Sequence, residues 1–335
     1  MFGGRPYLDG IQQLRAAAAL GVVLYHLGDE LARLGLPDPF RFGEAGVDLF
    51  FVVSGFVMGL AGASEDGRPG RFLARRAVRI VPLYWAATLS LFGLAMLAPG
   101  LVGTEAAPLD LLRSLLFVPF EKAPSRVEPL LFLGWTLNYE VAFYALVAVS
   151  LAAGRAGPAL VLGVIAAAVA AGWLFAPPPS QTLAWFYTRP VVGAFGYGYA
   201  LHLAWRRWPG LRVPGPVAAL AATALVAWPV WPAQVDGLLT KAVPAAVLVA
   251  AATGRAYGGP GARAALAVGA ASYALYLLHP YVLRAVGLAG RDLPTPLAAG
   301  VVLVLGVGGS VLLAVAVFRR GERPFVAWLR GRLGI

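Results

Sequence analysis

Long apolar stretches, separated by short segments rich in Pro, Gly and Arg, make up most of this sequence. A helix needs about 20 apolar residues to cross a membrane. None of the stretches has the alternating pattern of a membrane β-strand. The pattern therefore predicts an all-α bundle of about ten transmembrane helices. These helices are predicted near residues 11–28, 46–63, 78–99, 131–153, 158–176, 183–203, 215–232, 237–253, 266–288 and 296–318.

One further apolar segment, at 109–119, ends at Pro119 and is too short to span a membrane. We expect this segment to be re-entrant or interfacial. The sequence contains no internal repeat and no low-complexity linker. We therefore expect residues 1–335 to form a single transmembrane domain with no fused soluble domain.

The composition also favours a membrane protein. The chain has 335 residues, of which 59% are hydrophobic and 13% are charged, whereas soluble domains are about 45–50% apolar and about 25% charged. This balance excludes a soluble enzyme and a disordered protein. Because the chain has no cysteine, thiol catalysis, thiolate metal sites and disulfides are excluded as well. We expect no bound metal.

The net charge of +11 comes mainly from arginines grouped between the apolar stretches. Such grouping is typical of cytoplasmic loops of membrane proteins rather than of a nucleic-acid site. With the predicted helices, 17 Lys and Arg residues lie on the side of the two termini and nine lie on the other side. Both termini are therefore predicted to be cytoplasmic, and we expect no nucleic-acid partner.

Ionisable residues inside a membrane are rare and usually functional. The first predicted helix carries two of them, Arg15 and His26. Eleven residues of helix return to nearly the same face and separate the two residues by about 16 Å along the axis. The structural alternative is that Arg15 extends toward the cytoplasmic surface and His26 makes a hydrogen bond between helices.

Three more ionisable residues are predicted in the outer half of the membrane: Asp48, Glu140 and His279. At its depth, Glu140 must be paired, protonated or facing water. The alternatives are that Asp48 interacts with its own helix dipole and that His279 satisfies carbonyls freed by Pro280. A histidine and a carboxylate can supply the general base that transfer to a hydroxyl group needs.

On the cytoplasmic side, Arg75, Arg76 and Arg79 stand near the predicted start of the third helix. Arg76 and Arg79 are three residues apart and share a helix face. Guanidinium groups match phosphate oxygens in pairs, so these arginines can hold a phosphate. The alternative is that they only anchor the loop to the cytoplasmic side. A phosphate site inside and a proton-handling cluster outside suit acyl transfer from a phosphorylated cytosolic donor to an external hydroxyl.

At these residues the sequence resembles the membrane acyltransferase-3 family, whose members O-acylate bacterial glycans. The similar motifs are Leu8-Asp9-Gly10 with Arg15 and His26, Asp48 to Phe56, Arg76-x-x-Arg79 with Ile80-Val81-Pro82, Trp135-x-Leu137-x-x-Glu140-x-x-Phe143-Tyr144, Ser272-Tyr273-x-x-Tyr276-Leu277-x-His279 and Glu322-Arg323-Pro324. Their order across residues 8–324 makes the resemblance specific.

The resemblance implies a multi-pass protein of the bacterial inner membrane with acetyl-CoA as donor, and the wording of two motifs is similar to the branch that acetylates exopolysaccharide. Four residues are expected to take part in catalysis: His26, Glu140, Arg15 and Asp48. Three are expected to bind the donor: Arg76, Arg79 and Arg75. Six are expected to support the site or the substrate: Trp135, Asn138, Tyr144, Ser272, Tyr276 and His279.

The expected partners are acyl-CoA, the lipid bilayer and a glycan or lipid-linked sugar acceptor. The competing hypothesis is a transporter or flippase, in which the buried Arg, His and Glu would line a path for substrate or protons. Paired broken helices or inverted repeats would favour that class, and the sequence shows no convincing pair. The sequence does not distinguish among acceptors or acyl groups.

Overall fold

The computed structural model describes residues 6–63, 68–210, 212–231, 236–254 and 256–335, with the side chains of residues 6–8 left out. The chain is 80% helical, which confirms the all-α class. Arg5 and Arg255, which entered the charge count above, lie outside the described residues, and so does the side chain of Leu8 in the first motif.

The described residues form fifteen α-helices. In chain order they are α1 Pro6–Arg33, α2 Ala45–Ala63, α3 Pro69–Leu97, α4 Pro108–Leu115, α5 Gly134–Ala152, α6 Gly157–Phe175, α7 Thr182–Tyr187, α8 Gly193–Arg207, α9 Gly215–Ala227, α10 Val243–Gly254, α11 Ala262–Ala270, α12 Ser272–Gly290, α13 Thr295–Val301, α14 Val307–Val317 and α15 Arg323–Leu333. A short antiparallel hairpin, β1 Glu121–Ala123 and β2 Arg126–Val127, was not predicted.

Within the described residues, five helical segments are long and apolar enough to cross a membrane. They are Arg41–Ala63, Pro69–Leu97, Gly134–Ala152, Gly154–Phe175 and Thr295–Leu333. The consecutive helices α11 and α12 form one further candidate that is bent by 79°. The expected number of about ten spans is therefore not confirmed by helix length and composition. The segment 109–119 contains only α4, which is eight residues long and too short to span, as expected.

Three predicted helices are divided or extended in the structure. The segment 183–203 is divided into α7 and α8, because Pro190 has no amide hydrogen to continue the helix. The segment 266–288 is divided at Ala271, between α11 and α12. The segment 296–318 continues to Leu333, because π-helical turns at Val302–Gly306 and Phe318–Glu322 join α13, α14 and α15.

The chain divides into two compact units. The first unit comprises residues 1–53 and 201–325. In this unit α1 packs against α10, α11, α12 and α14. Leu27, Leu283 and Val302 form a buried cluster where α1, α12 and the turn before α14 meet. A side chain at Gly269 of α11 would overlap with the Gln12 carbonyl, so glycine allows the backbones of α11 and α1 to approach.

The second unit comprises residues 54–200 and 326–335. In this unit α5 packs against α3 and α6. The small-residue pair Ser54-Gly55 in α2 predicts a close approach by another helix. The structure confirms it, because a Cβ atom at Gly55 would overlap with the Phe195 carbonyl of α8.

Candidate active site

A pair of histidines lies in the first unit. His26 comes from α1 and His279 from α12, and the Nδ1 atom of His26 is 3.1 Å from the Nε2 atom of His279. His279 is fully buried, and His26 is half-buried. The packing of α1 against α12 thus brings together two predicted site residues that are 253 positions apart.

Backbone carbonyls next to the two rings determine their tautomers. The Nδ1 atom of His279 is 3.0 Å from the Leu275 carbonyl oxygen, which can only accept a hydrogen bond. His279 therefore carries its proton on Nδ1 and presents the lone pair of Nε2 to His26. The Nδ1 atom of His26 also faces a carbonyl, that of Val22 at 2.9 Å, and is therefore the protonated nitrogen. The neutral His26 ring consequently carries its lone pair on Nε2, the form required of a general base.

Arg15 occupies the same helix as His26. Because α1 runs from Pro6 to Arg33 without a break, the predicted helical spacing of the two residues is confirmed. Arg15 is half-buried, and its Nη1 donates a hydrogen bond to Gln12 Oε1 at 3.3 Å. Its guanidinium is thus held close to α1.

Asp48 is a buried first-turn residue of α2 with a charged partner. Its Oδ2 lies 3.6 Å from Lys241 Nζ, which also donates a hydrogen bond to Glu44 Oε1 at 2.8 Å. The ammonium group of Lys241 lies 4.7 Å from the centre of the Trp228 ring. An ion pair thus stabilises this carboxylate where it is buried.

In the second unit, Glu140 accepts two hydrogen bonds on the same oxygen, Oε1. Ser54 Oγ donates one of them at 3.1 Å, and the hydroxyl group of Tyr144 donates the other. Because α5 begins at Gly134, Glu140 lies about 9 Å from the start of the helix. The predicted helix starts earlier, at residue 131, and places Glu140 about 13 Å from its start. Both donors leave Oε2 available for a further hydrogen bond.

Aromatic rings connect Glu140 to one of the predicted donor-binding arginines. The ring of Tyr144 packs edge-to-face against Phe72, with 6.4 Å between the ring centres. Phe72 belongs to α3, as does Arg76, and the guanidinium of Arg76 lies 5.7 Å from the centre of the Phe72 ring. A predicted catalytic carboxylate and a predicted phosphate ligand thus belong to one contiguous group of side chains in this unit.

Arg75, Arg76 and Arg79 lie inside a helix rather than at its start. The helix α3 begins at Pro69, nine residues before the predicted start, because proline is well suited to a first helical position. All three arginines are half-buried. The Nη1 of Arg76 donates a weak hydrogen bond to Met58 Sδ at 3.9 Å. The shared face of Arg76 and Arg79 is confirmed, since the helix is continuous through both positions.

The predicted supporting residues lie partly in the second unit, near Glu140, and partly in the first unit, near His279. In the second unit, Trp135 packs edge-to-face against Tyr139, and Asn138 is buried with no hydrogen-bond partner for Oδ1 among the described residues. In the first unit, Tyr276 and Ser272 are buried on α12, and the ring centre of Tyr276 lies 6.3 Å from that of His279.

A sequence profile described as an acyltransferase domain matches residues 8–315 of this chain. The chain belongs to the membrane acyltransferase-3 family. It is also 37% identical over 308 residues to the exopolysaccharide production protein ExoZ of Rhizobium meliloti (strain 1021), a match that covers 88% of this chain and 92% of that protein. No solved structure matches the chain. The comparisons confirm the resemblance and the O-acyltransferase activity that it implies.

Some polar contacts of this acyltransferase-3 protein were not predicted from the sequence. Ser54 contacts Glu140, and Lys241 with Glu44 contacts Asp48. Lys241 could have been found, because it is one of only two lysines in the chain and lies in an apolar segment. His202, near the cytoplasmic end of the sixth predicted helix, is expected at the membrane interface from the sequence, but it is buried in the protein. The described residues contain no group of three or more His, Asp or Glu side chains arranged to hold a metal.

Proposed function

We propose that this acyltransferase-3 protein transfers an acyl group, in the first instance acetyl, from cytosolic acyl-CoA to a hydroxyl group of an extracytoplasmic exopolysaccharide or its lipid-linked precursor. The family match supports acyl transfer. The Rhizobium relative is named as an exopolysaccharide production protein, which supports the choice of acceptor. The observation that carries the mechanism is the histidine pair, whose hydrogen bonds orient one ring nitrogen of His26 as a base.

His26 is the proposed general base. Its Nε2 takes the proton of the acceptor hydroxyl while the oxygen attacks the thioester carbonyl and forms the new ester bond. The bond between carbonyl carbon and sulfur breaks, and the imidazolium returns the proton to the departing thiolate of CoA. His279 acts as a positioning residue. Its Nε2 lone pair accepts a hydrogen bond from the Nδ1–H group of His26, and this hydrogen bond stabilises the imidazolium that forms when His26 takes the proton.

Five of the other predicted residues are assigned to binding. Arg75, Arg76 and Arg79 are proposed to hold the phosphates at the nucleotide end of acyl-CoA, because guanidinium groups bind phosphate bidentately. Arg15 steadies the polar thioester arm on its approach to His26. Glu140 is proposed to accept a hydrogen bond on Oε2 from a hydroxyl group of the sugar acceptor other than the one that is acylated.

The proposed arrangement in the inner membrane has both termini in the cytoplasm and about ten membrane segments, several of them broken or bent. The charge asymmetry of the loops supports it. In this arrangement the donor enters from the cytoplasm, and the acceptor is esterified at the outer face. Transfer therefore crosses the membrane within the protein.

Reconstituted vesicles of known orientation test this proposal. Acetyl-CoA is supplied on one face and the polysaccharide or lipid-linked acceptor on the other, and acetylated product is measured by mass spectrometry. We expect product only when acetyl-CoA is on the face of the termini and the acceptor is on the opposite face. Product that requires donor and acceptor on the same face would overturn transfer across the membrane, even if His26 proves to be catalytic.

A further inference from the structure

A cluster of arginines in the second unit extends beyond the three predicted donor ligands. Arg71 lies one turn before Arg75 on α3 and faces the same side of that helix. Arg330, on the helix α15, belongs to the same compact unit, and the positive charges of Arg75 and Arg76 act on it. Arg330 reaches this place because the last helical segment continues well beyond Val317 through a π-helical turn.

Several donor groups of the cluster have no partner. The Nε atoms of Arg71, Arg76 and Arg330 are buried from solvent, and none of them makes a hydrogen bond. No carboxylate of the described residues forms an ion pair with any of these three side chains. Buried donors normally find partners, and guanidinium groups cannot lose their charge to relieve the repulsion. The cluster is therefore arranged for an anion with several oxygens.

We infer that Arg330 of the C-terminal helix is a further phosphate-binding residue and that, with Arg71, Arg75 and Arg76, it forms a site for more than one phosphate group. This inference rests on the proposed function for the identity of the ligand, the nucleotide end of acyl-CoA. That end carries a diphosphate and a separate ribose phosphate, so the three arginines proposed above leave phosphate oxygens without bidentate donors. Arg330 supplies a second helix to the site, and the donor is held between α3 and α15.

Phospholipid headgroups offer the same phosphate chemistry as a nucleotide. The two sources differ in the lipid that surrounds the protein, because a headgroup site would be filled from an anionic bilayer and a nucleotide site from solution. Binding measurements in nanodiscs made of phosphatidylcholine or of phosphatidylglycerol therefore separate them.

The test compares Arg330→Gln with Arg332→Gln in the full-length protein. Arg332 is an exposed neighbour on α15 whose guanidinium lies over the Trp328 ring, so it is a matched control. Isothermal titration in phosphatidylcholine nanodiscs is carried out with CoA and with pyrophosphate as probes. We expect Arg330→Gln to weaken binding of both probes about tenfold or more, and Arg332→Gln to leave it unchanged. Arg330→Lys, which keeps the charge but not the planar fork, should fall between them and also checks that the helix folds.

The outcomes separate this inference from the proposed function. Unchanged CoA affinity in both Arg330 variants would overturn the inference and leave acyl-CoA as the donor. Loss of pyrophosphate binding in Arg330→Gln, in a protein that does not bind CoA, would support the phosphate site and overturn the donor assignment. If neither probe binds, both ideas fail. If phosphatidylglycerol abolishes probe binding to the wild-type protein, the site belongs to lipid and the nucleotide assignment is wrong.

Discussion

The histidine pair of the first unit and the arginine cluster of the second differ in how their buried polar atoms are satisfied. In the first unit, the Nδ1 atoms of His26 and His279 each face a backbone carbonyl, and the Nδ1 atom of His26 also faces the Nε2 atom of His279. In the second unit, the guanidinium groups of Arg71, Arg76 and Arg330 keep buried donors without partners. The first unit therefore presents an organised acid–base pair before substrate arrives, whereas the second presents a charged group that a ligand completes.

The difference follows from the chemistry of the two side chains. An imidazole can be buried in its neutral form, and its two nitrogens then act as one donor and one acceptor. A guanidinium keeps its charge under all ordinary conditions and has only donors. A histidine pair can therefore satisfy itself inside the protein, but an arginine cluster needs an anion. We accordingly expect substitutions in the first unit to lower kcat and substitutions of the arginines to raise the KM for the donor.

The largest expected effect is that of His26→Ala. Loss of a general base typically lowers the rate by about 10²–10⁴-fold, and we expect a fall of this size in kcat for acetyl transfer. The affinity for CoA, measured by titration, should stay within about twofold, since the arginines of the second unit are unchanged. Turnover near the wild-type rate in a folded, inserted His26→Ala protein would refute the assignment of the base. The contrast between a catalytic first unit and a binding second unit would then have no basis.

Much of the first-unit site was predictable, but the pairing of its histidines was not. The spacing of Arg15 and His26 needed only helical periodicity, because α1 is unbroken. The contact between His26 and His279 joins residues 253 positions apart and depends on the packing of α1 with α12. Periodicity also missed the break at Ala271, which carries neither proline nor glycine.

In the second unit, the sequence indicated the arginines but not the length of their helix. Arg71, Arg75 and Arg76 interrupt the apolar pattern, so α3 was predicted to begin only at residue 78. Pro69 was the available signal for the earlier start. The hydrogen bond of Ser54 to Glu140 and the position of Arg330 required packing between distant segments. Hydrophobic periodicity carries no information about such contacts.

A smaller effect is expected for His279, since it acts through His26. His279→Ala removes the acceptor for the Nδ1 proton of His26 and should lower kcat about tenfold to hundredfold, less than His26→Ala does. His279→Gln retains an acceptor oxygen and should recover part of the lost rate, which a purely structural role would not require. Steady-state kinetics of His26→Ala, His279→Ala and His279→Gln measure the order of their kcat values. If His279→Ala alone abolishes turnover, the roles of the two histidines must be exchanged.

The smallest expected effect, and the sharpest test of the second unit, is that of Arg76→Lys. The guanidinium of Arg76 lies over Phe72 and has a buried, unpartnered Nε, whereas an ammonium group keeps only the charge. We expect the KM for acetyl-CoA to rise about three- to tenfold, and kcat to stay within about twofold, with Arg76→Ala raising KM further. Arg68→Lys is the matched control. Because Arg68 is exposed just before α3, this substitution should leave both constants unchanged.

A fall in kcat at constant KM would mean that Arg76 acts on the reacting groups, through the Phe72 and Tyr144 rings that connect it to Glu140. The division between a catalytic first unit and a binding second unit would then be wrong.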